Sequence, residues 1–181
     1  MKKLLILIVP FIFITNIWAQ TFTSNSINYT ITSNVTPYTV SVVKATGNII
    51  VIPSTVIYNT ITYSVTSIVD DANFPYDLTS ITLPNTLTNI GNYAFDNCRS
   101  LTSLSIPNSV TNIGNSAFSG CSGLTSITIP NSVTNISNSA FNSCSSLTSI
   151  TIPNSITNIS NYAFNNCTSL ITLNYNATNA S

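Results

Sequence analysis

The chain has 181 residues, of which 4% are charged and 44% are hydrophobic, whereas an average globular protein has about 25% charged residues. Ser, Thr and Asn replace the missing charges, so the chain can bury a core and its composition excludes a disordered protein. The composition also excludes binding to nucleic acid and attraction to anionic membranes, since both need clustered Lys or Arg.

Residues 1–19 are predicted to be a signal peptide. Lys2 and Lys3 form a basic start, residues 4–14 are apolar, and Ala19 is a small residue at the predicted cleavage position. The apolar stretch is too short to span a bilayer, and no later segment resembles a membrane span. The alternative is a buried N-terminal strand or helix, but the basic start favours export. We therefore expect a secreted or cell-surface protein that retains two basic and four acidic side chains.

Residues 20–77 are predicted to be an N-terminal cap that ends in an irregular first repeat. The run Ile50-Val51-Ile52-Pro53 begins a degenerate copy of the unit described below, with extra residues inserted around residues 58–64. Three acidic residues follow, and their carboxylates could bind a hard cation such as Ca²⁺. We favour a solvated loop for them and predict no metal or cofactor site; these residues are Asp70, Asp71 and Asp77.

Residues 78–169 are four copies of a 23-residue unit, and residues 170–181 begin an incomplete fifth copy. Apolar residues recur at the same eight positions of each copy. In the second copy they are Leu101, Leu104, Ile106, Val110, Ile113, Ala117, Phe118 and Cys121. One unit cannot bury this set alone, whereas stacked units share a continuous core, so the pattern predicts a repeat solenoid.

Each unit predicts one coil of a parallel β-solenoid. Positions 4 and 6 point inward and positions 3 and 5 point outward, as in a short strand. Proline lacks the N–H that a parallel ladder needs, so position 7 ends this strand; its residues are Pro84, Pro107, Pro130 and Pro153. Val-Thr-Asn-Ile predicts a second short strand, and Asn-x-Ala-Phe-x-x-Cys predicts a tight or 3₁₀-like helical turn. Position 14 is Gly in two copies and Ser in two, so it does not require a positive φ.

Four cysteines occupy one inward position of the repeat, and they are Cys98, Cys121, Cys144 and Cys167. Their side chains are expected to lie parallel along the stack, which favours a column of small buried thiols. Disulfides between neighbouring coils are the alternative in an exported protein. A zinc site is disfavoured because its ligands must converge on one point.

Asparagine recurs at three positions, where we predict amide ladders with a structural role. The three columns are Asn85/Asn108/Asn131/Asn154, Asn89/Asn112/Asn135/Asn158 and Asn92/Asn115/Asn138/Asn161.

The unit Leu-x-x-Ile-x-Ile-Pro-x-x-Val-x-x-Ile-x-x-x-Ala-Phe-x-x-Cys resembles the BspA-type leucine-rich repeat family of bacterial surfaces and some parasitic protists. Residues 50–77 also look like that family's irregular first repeat, and residues 29–43 like the strands that precede it. The resemblance implies adhesion: binding to host matrix proteins, co-aggregation of cells, and surface display.

The outward columns of the first strand are the predicted partner-binding residues. They are Ser80, Thr82, Ser103, Ser105, Ser126, Thr128, Ser149 and Thr151. We expect them to contact a protein or a glycan on an extracellular surface, since solenoids present extended regular faces. Catalysis is not expected, because the chain has neither His nor Glu. The alternatives are an ice-binding surface, an inert surface, and a spacer or fragment of a longer surface protein that associates end to end.

Overall fold

The computed structural model describes residues 20–175. The predicted signal peptide and the last six residues of the predicted fifth repeat lie outside this part. None of the described residues forms a long apolar helix of the kind that could cross a bilayer. Their regular secondary structure consists of β-strands.

The N-terminal cap is an antiparallel hairpin joined to the stack. Strands β1 (Thr21–Ser24) and β2 (Ile27–Ser33) pair through a two-residue turn. Both turn residues, Asn25 and Ser26, have a positive φ, as a type I′ turn requires. Strand β3 (Thr39–Ala45) pairs antiparallel with β2 and parallel with β6 (Ile61–Asn73). Strand β5 (Thr55–Tyr58) pairs antiparallel with β6, and the residues inserted around 58–64 form the turn between these two strands and the start of β6.

One strand per coil forms a side of the solenoid that we call the first face. Its strands are β4 (Ile49–Val51), β7 (Ser80–Thr82), β9 (Ser103–Ser105), β11 (Ser126–Thr128), β13 (Ser149–Ile152) and β15 (Thr172–Tyr175). Equivalent residues of successive repeats are directly paired, for example Ser126 with Ser149. This in-register parallel pairing confirms the predicted solenoid and its 23-residue period.

The second face contains β6 and the short strands that follow the proline corner. These are β8 (Asn89–Ile90), β10 (Asn112–Ile113), β12 (Asn135–Ile136) and β14 (Asn158–Ile159). Between the two faces, the proline carbonyl accepts a turn hydrogen bond from the residue three positions later, as Pro107 does from Val110. The proline therefore ends one strand and starts the corner, as predicted.

The third side of each coil consists of tight turns, which is one of the two predicted conformations; the 3₁₀-like helix does not form in the described coils. Bonds of the i→i+3 kind do occur, as from the Cys98 N–H to the Phe95 carbonyl at 3.2 Å. However, Tyr93 and Asn97 have a left-handed φ, which interrupts a helix. The N–H groups of Tyr93, Phe95 and Asn97 instead donate to carbonyls of the next coil. The turns thus form their own ladder between coils.

The core runs without a break along the stack, and the eight apolar positions of the second copy are all buried. Its centre is a column of phenylalanine rings, one per coil, at Phe74, Phe95, Phe118, Phe141 and Phe164. Successive ring centroids are 4.9 to 5.5 Å apart, and the ring planes are nearly parallel. Each ring packs on its counterparts in neighbouring coils, so the units share one core.

Candidate interaction surface

The structure brings the eight predicted partner-binding residues together as two parallel columns on the first face. Six of them are exposed, and Ser149 and Thr151 are half-buried. The residue between each pair of columns points inward, as Ile127 does between Ser126 and Thr128. Neighbouring side chains are therefore about 4.8 Å apart across the strands and roughly 6.8 Å apart along them.

The hydroxyl groups of these two columns have no hydrogen-bond partner among the described residues. The hydroxyl columns at positions 2, 9 and 11 differ, because most of their hydroxyl groups donate to carbonyls of the preceding coil. At position 2, Thr125 Oγ1 donates to the Thr102 carbonyl at 3.1 Å. At position 9, Ser109 Oγ donates to Leu87, and at position 11, Thr111 Oγ1 donates to Thr88. On the first face, the columns at positions 3 and 5 therefore leave their hydroxyl groups available to a partner.

The two columns extend beyond the predicted residues at both ends. Ile49 and Val51 of β4 pair with Ser80 and Thr82, and their side chains are 70% and 65% exposed. They were not predicted as partner-binding residues, because β4 lies in the irregular repeat. Counting back from Pro53 as from Pro84 would have placed them in these columns. At the other end, β15 adds the exposed Thr172 and Asn174.

The cysteines form the predicted column of free thiols, buried at Cys98, Cys121 and Cys144 and half-buried at Cys167. From the second copy onward, each thiol donates to the phenylalanine carbonyl of the preceding coil, as Cys121 Sγ does to Phe95 at 3.1 Å. Burial, with a smaller effect of the Asp96 carboxylate, raises the pKa of Cys98 from 9.0 to about 12. These thiols therefore pack as small apolar groups.

Hydrogen bonds of the side-chain amides join successive coils in two of the asparagine columns. Asn112 Nδ2 donates to Asn89 Oδ1 at 2.6 Å, and the Asn115 N–H donates to Asn92 Oδ1 at 2.7 Å. Asp70 starts the second of these ladders, since its carboxylate accepts hydrogen bonds from the N–H and the Nδ2 of Asn92. These contacts agree with the predicted structural role.

The acidic residues before the first full repeat are placed differently from the prediction of a loop. Asp70 and Asp71 belong to β6, and Asp77 lies in the turn after it. The pairing of β3 with β6 is irregular between Ile68 and Asn73, so the two aspartates occupy a β-bulge. Across residues 20–175, no three His, Cys, Asp or Glu side chains converge as metal ligands.

The model of a family described as "BspA type Leucine rich repeat region" matches residues 66–181 in six copies. The chain belongs to the BspA-type leucine-rich repeat family. The sequence itself shows four complete repeats and two partial ones, which also makes six copies. A search of curated proteins finds no significant match.

Solved structures of leucine-rich repeat proteins share the fold. The T. pallidum leucine-rich repeat protein is 26% identical to this chain, with a TM-score of 0.73. The match covers 85% of this chain and 71% of the T. pallidum chain. A leucine-rich cell surface protein of Faecalibacterium prausnitzii is 27% identical, with a TM-score of 0.58. The match covers 88% of this chain and 55% of the F. prausnitzii chain. The pneumococcal vaccine antigen PcpA is 21% identical, with a TM-score of 0.62. The match covers 87% of this chain and 49% of the PcpA chain.

This BspA-type chain therefore spans about half the length of the second and third of these proteins.

Proposed function

We propose that the first face is an adhesion surface, which binds a protein or a glycan outside the cell. The observation that carries the proposal is the pair of hydroxyl columns without internal partners, beside columns whose hydroxyl groups serve the fold. The family supports a role in protein interaction, and the F. prausnitzii neighbour supports a location at the cell surface. The basic and apolar start of the chain supports export.

The charge, polarity and hydrogen-bonding groups of the first face indicate what kind of partner it binds. The columns carry no charge, so binding depends little on ionic strength. Ile49 and Val51 add exposed apolar side chains at one end, where burial against a partner would contribute most to affinity. The hydroxyl groups can both donate and accept, which suits a peptide backbone or a sugar. Binding without catalysis is also what a repeat scaffold without His or Glu supports.

A charge placed on the first face tests the proposal. In the double variant Ser126→Lys/Thr128→Lys, two ammonium groups would be desolvated at the interface, so binding should fall strongly while the fold is kept. Surface plasmon resonance against extracellular-matrix proteins and neighbouring cell surfaces measures it. Thr134→Lys is the matched control, because Thr134 is exposed on the second face. The absence of binding at high micromolar concentration, or equal losses in both variants, would contradict the proposal.

An ice-binding surface is the second candidate function, favoured by the regular spacing of the uncharged hydroxyl columns. Thermal hysteresis in the presence of the protein measures it directly. Hysteresis that Ser126→Lys/Thr128→Lys abolishes would support this function, and ordinary ice growth would exclude it.

A further inference from the structure

A polar recess lies away from the first face, where the bulge of β6 meets the turns of the first full repeat. Its volume is about 250 Å³. The side chains that define it are two tyrosines, two aspartates and an asparagine, namely Tyr76, Tyr93, Asp71, Asp96 and Asn73. It thus combines half of the acidic residues of the chain with two aromatic rings in one concave site.

The tyrosines of the recess are unusually exposed for large aromatic side chains. Tyr76 is 70% exposed and Tyr93 is 47% exposed, although both rings border the concavity. Neither phenol group has a hydrogen-bond partner among the residues that the structure describes. Exposed aromatic surface beside a concavity is typical of a binding site, since burying it on a ligand is favourable.

The two carboxylates are positioned as acceptors. Asp71 has a φ of 52° in the bulge, and its backbone N–H is held by the Asn92 carbonyl at 2.8 Å. Within residues 20–175, its carboxylate receives no hydrogen bond. Asp96 accepts one bond, from Asn97 Nδ2 at 2.7 Å, so further lone pairs are available. The recess therefore offers several strong acceptors beside two aromatic faces.

We propose that this recess is a saccharide-binding site, distinct from the first face. A sugar presents an apolar C–H surface, which suits the electron-rich face of a tyrosine ring, and many O–H donors, which suit acceptor-only carboxylates. The volume is below the roughly 300 Å³ at which drug-sized pockets begin, so the recess suits a single sugar unit, which can belong to a longer chain. A calcium ion would need six to eight oxygen ligands, and no third carboxylate joins Asp71 and Asp96 here.

The repeat itself supplies mild substitutions for the test. Position 16 is Tyr93, Ser116, Ser139 and Tyr162 in the four copies, with a left-handed φ in each, so Tyr93→Ser is compatible with the backbone. Position 19 is Asp96 in the first copy and Asn142 in the third, so Asp96→Asn is equally mild. Tyr162→Ser is the matched control, because Tyr162 is 68% exposed but does not line the recess.

The experiment is calorimetric titration of the protein with neutral hexopyranose tetrasaccharides of the cello, chito and galacto series, in buffer with a chelator. We expect at least one series to bind, with affinity reduced about tenfold or more in Tyr93→Ser and in Asp96→Asn and unchanged in Tyr162→Ser. Binding should also survive Ser126→Lys/Thr128→Lys, which separates this site from the first face. The proposal is overturned if no series binds at millimolar concentration, if Tyr162→Ser is as damaging as Tyr93→Ser, or if a parallel titration without chelator shows that Ca²⁺ alone binds.

Discussion

Hydroxyl and thiol groups satisfy carbonyls of the neighbouring coil throughout the stack. Ser155 Oγ donates to the Val133 carbonyl at 2.6 Å, and Cys144 Sγ donates to the Phe118 carbonyl at 3.2 Å. The described residues leave no buried side-chain nitrogen or oxygen without a partner. Because a buried polar group without a partner is costly, each coil needs small donors at its corners. The fold thus accounts for much of the Ser and Thr in a chain with few charges.

Buried thiols resist ionisation, and this makes the stability of the fold depend on pH. A raised pKa means that the folded chain holds its thiol proton where the unfolded chain has lost it. The stabilisation is therefore complete below the ordinary value of 9.0 and is lost as the pH rises towards about 12. At neutral pH the same thiols are protonated, which makes them poor nucleophiles and poor metal ligands.

Replacement of Cys98 by alanine is expected to weaken this dependence. The wild-type free energy of unfolding should fall as the pH is raised above 9.0, and Cys98→Ala should show a shallower fall because one raised pKa is removed. Urea unfolding at several pH values measures both slopes. Burial raises the pKa of Tyr29 to about 12 as well, so the difference between the two proteins isolates the thiol. Parallel pH profiles would contradict the prediction.

At the level of the structural element, the strands were predictable, whereas the backbone conformation of the turns was not. Alternating apolar residues followed by proline correctly predicted the strands of the first face, because this pattern depends on which side of a strand is buried. The turn segment was predicted in part: tight turns form, but Tyr93 and Ser116 adopt a left-handed φ that prevents a 3₁₀ helix. Residue type does not reveal that conformation outside glycine.

The two candidate surfaces also differ in whether the sequence could predict them. The hydroxyl columns at positions 3 and 5 followed directly from the repeat and the strand alternation. The recess did not, because it joins a bulge in an irregular strand to a turn of the next coil. Asp71 and Tyr93 are brought together by contacts between coils, and no local pattern records such contacts.

Glycine at position 14 reflects a close approach between coils. A Cβ atom on Gly114 would lie 2.5 Å from the Asn92 nitrogen and 2.6 Å from the Gly91 carbonyl carbon. These are backbone atoms, which cannot move aside without shifting the preceding coil. In the third copy, Ser137 occupies the same position, and its Oγ donates to the Ile113 carbonyl at 2.6 Å. The coils around Gly114 are therefore closer there than Ser would permit.

We expect Gly114→Ala to destabilise the fold by about 1–3 kcal/mol through overpacking. Ser137→Ala provides the control, because it introduces the same residue at the same position of the next coil. That variant loses one hydrogen bond, at a cost of about 1 kcal/mol. Urea unfolding of the two proteins gives both values. A Gly114→Ala variant as stable as Ser137→Ala would show that the coils can separate at little cost.

On the scale of the whole molecule, the stack makes stability a property of neighbouring coils. Each coil contacts the next through strands, turns, amides and phenylalanine rings, so a coil with two neighbours is held more firmly than a coil with one. The hydroxyl columns of the first face span several coils and depend on this continuity. The recess depends on the contact between β6 and the first full repeat.

Phenylalanine substitutions at two places in the stack distinguish this arrangement from a uniformly cooperative fold. Phe118 stacks on Phe95 at 5.2 Å and on Phe141 at 5.4 Å, whereas the structure describes one stacked neighbour for Phe164, Phe141 at 5.5 Å. Phe118→Ala should cost about 3–5 kcal/mol, as expected for a fully buried ring, and Phe164→Ala clearly less.

Hydrogen exchange measures which coils lose stability in each variant. Since a break at Phe118 separates two groups of coils, faster exchange should appear on both sides of it, whereas Phe164→Ala should accelerate exchange mainly in the last described coil. Tetrasaccharide binding at the recess should survive Phe164→Ala, because Phe164 lies three coils from Phe95 and the recess contacts the first full repeat. Equal losses of stability with equally widespread exchange would mean that the solenoid unfolds as one unit, and the nearest-neighbour description would then be wrong.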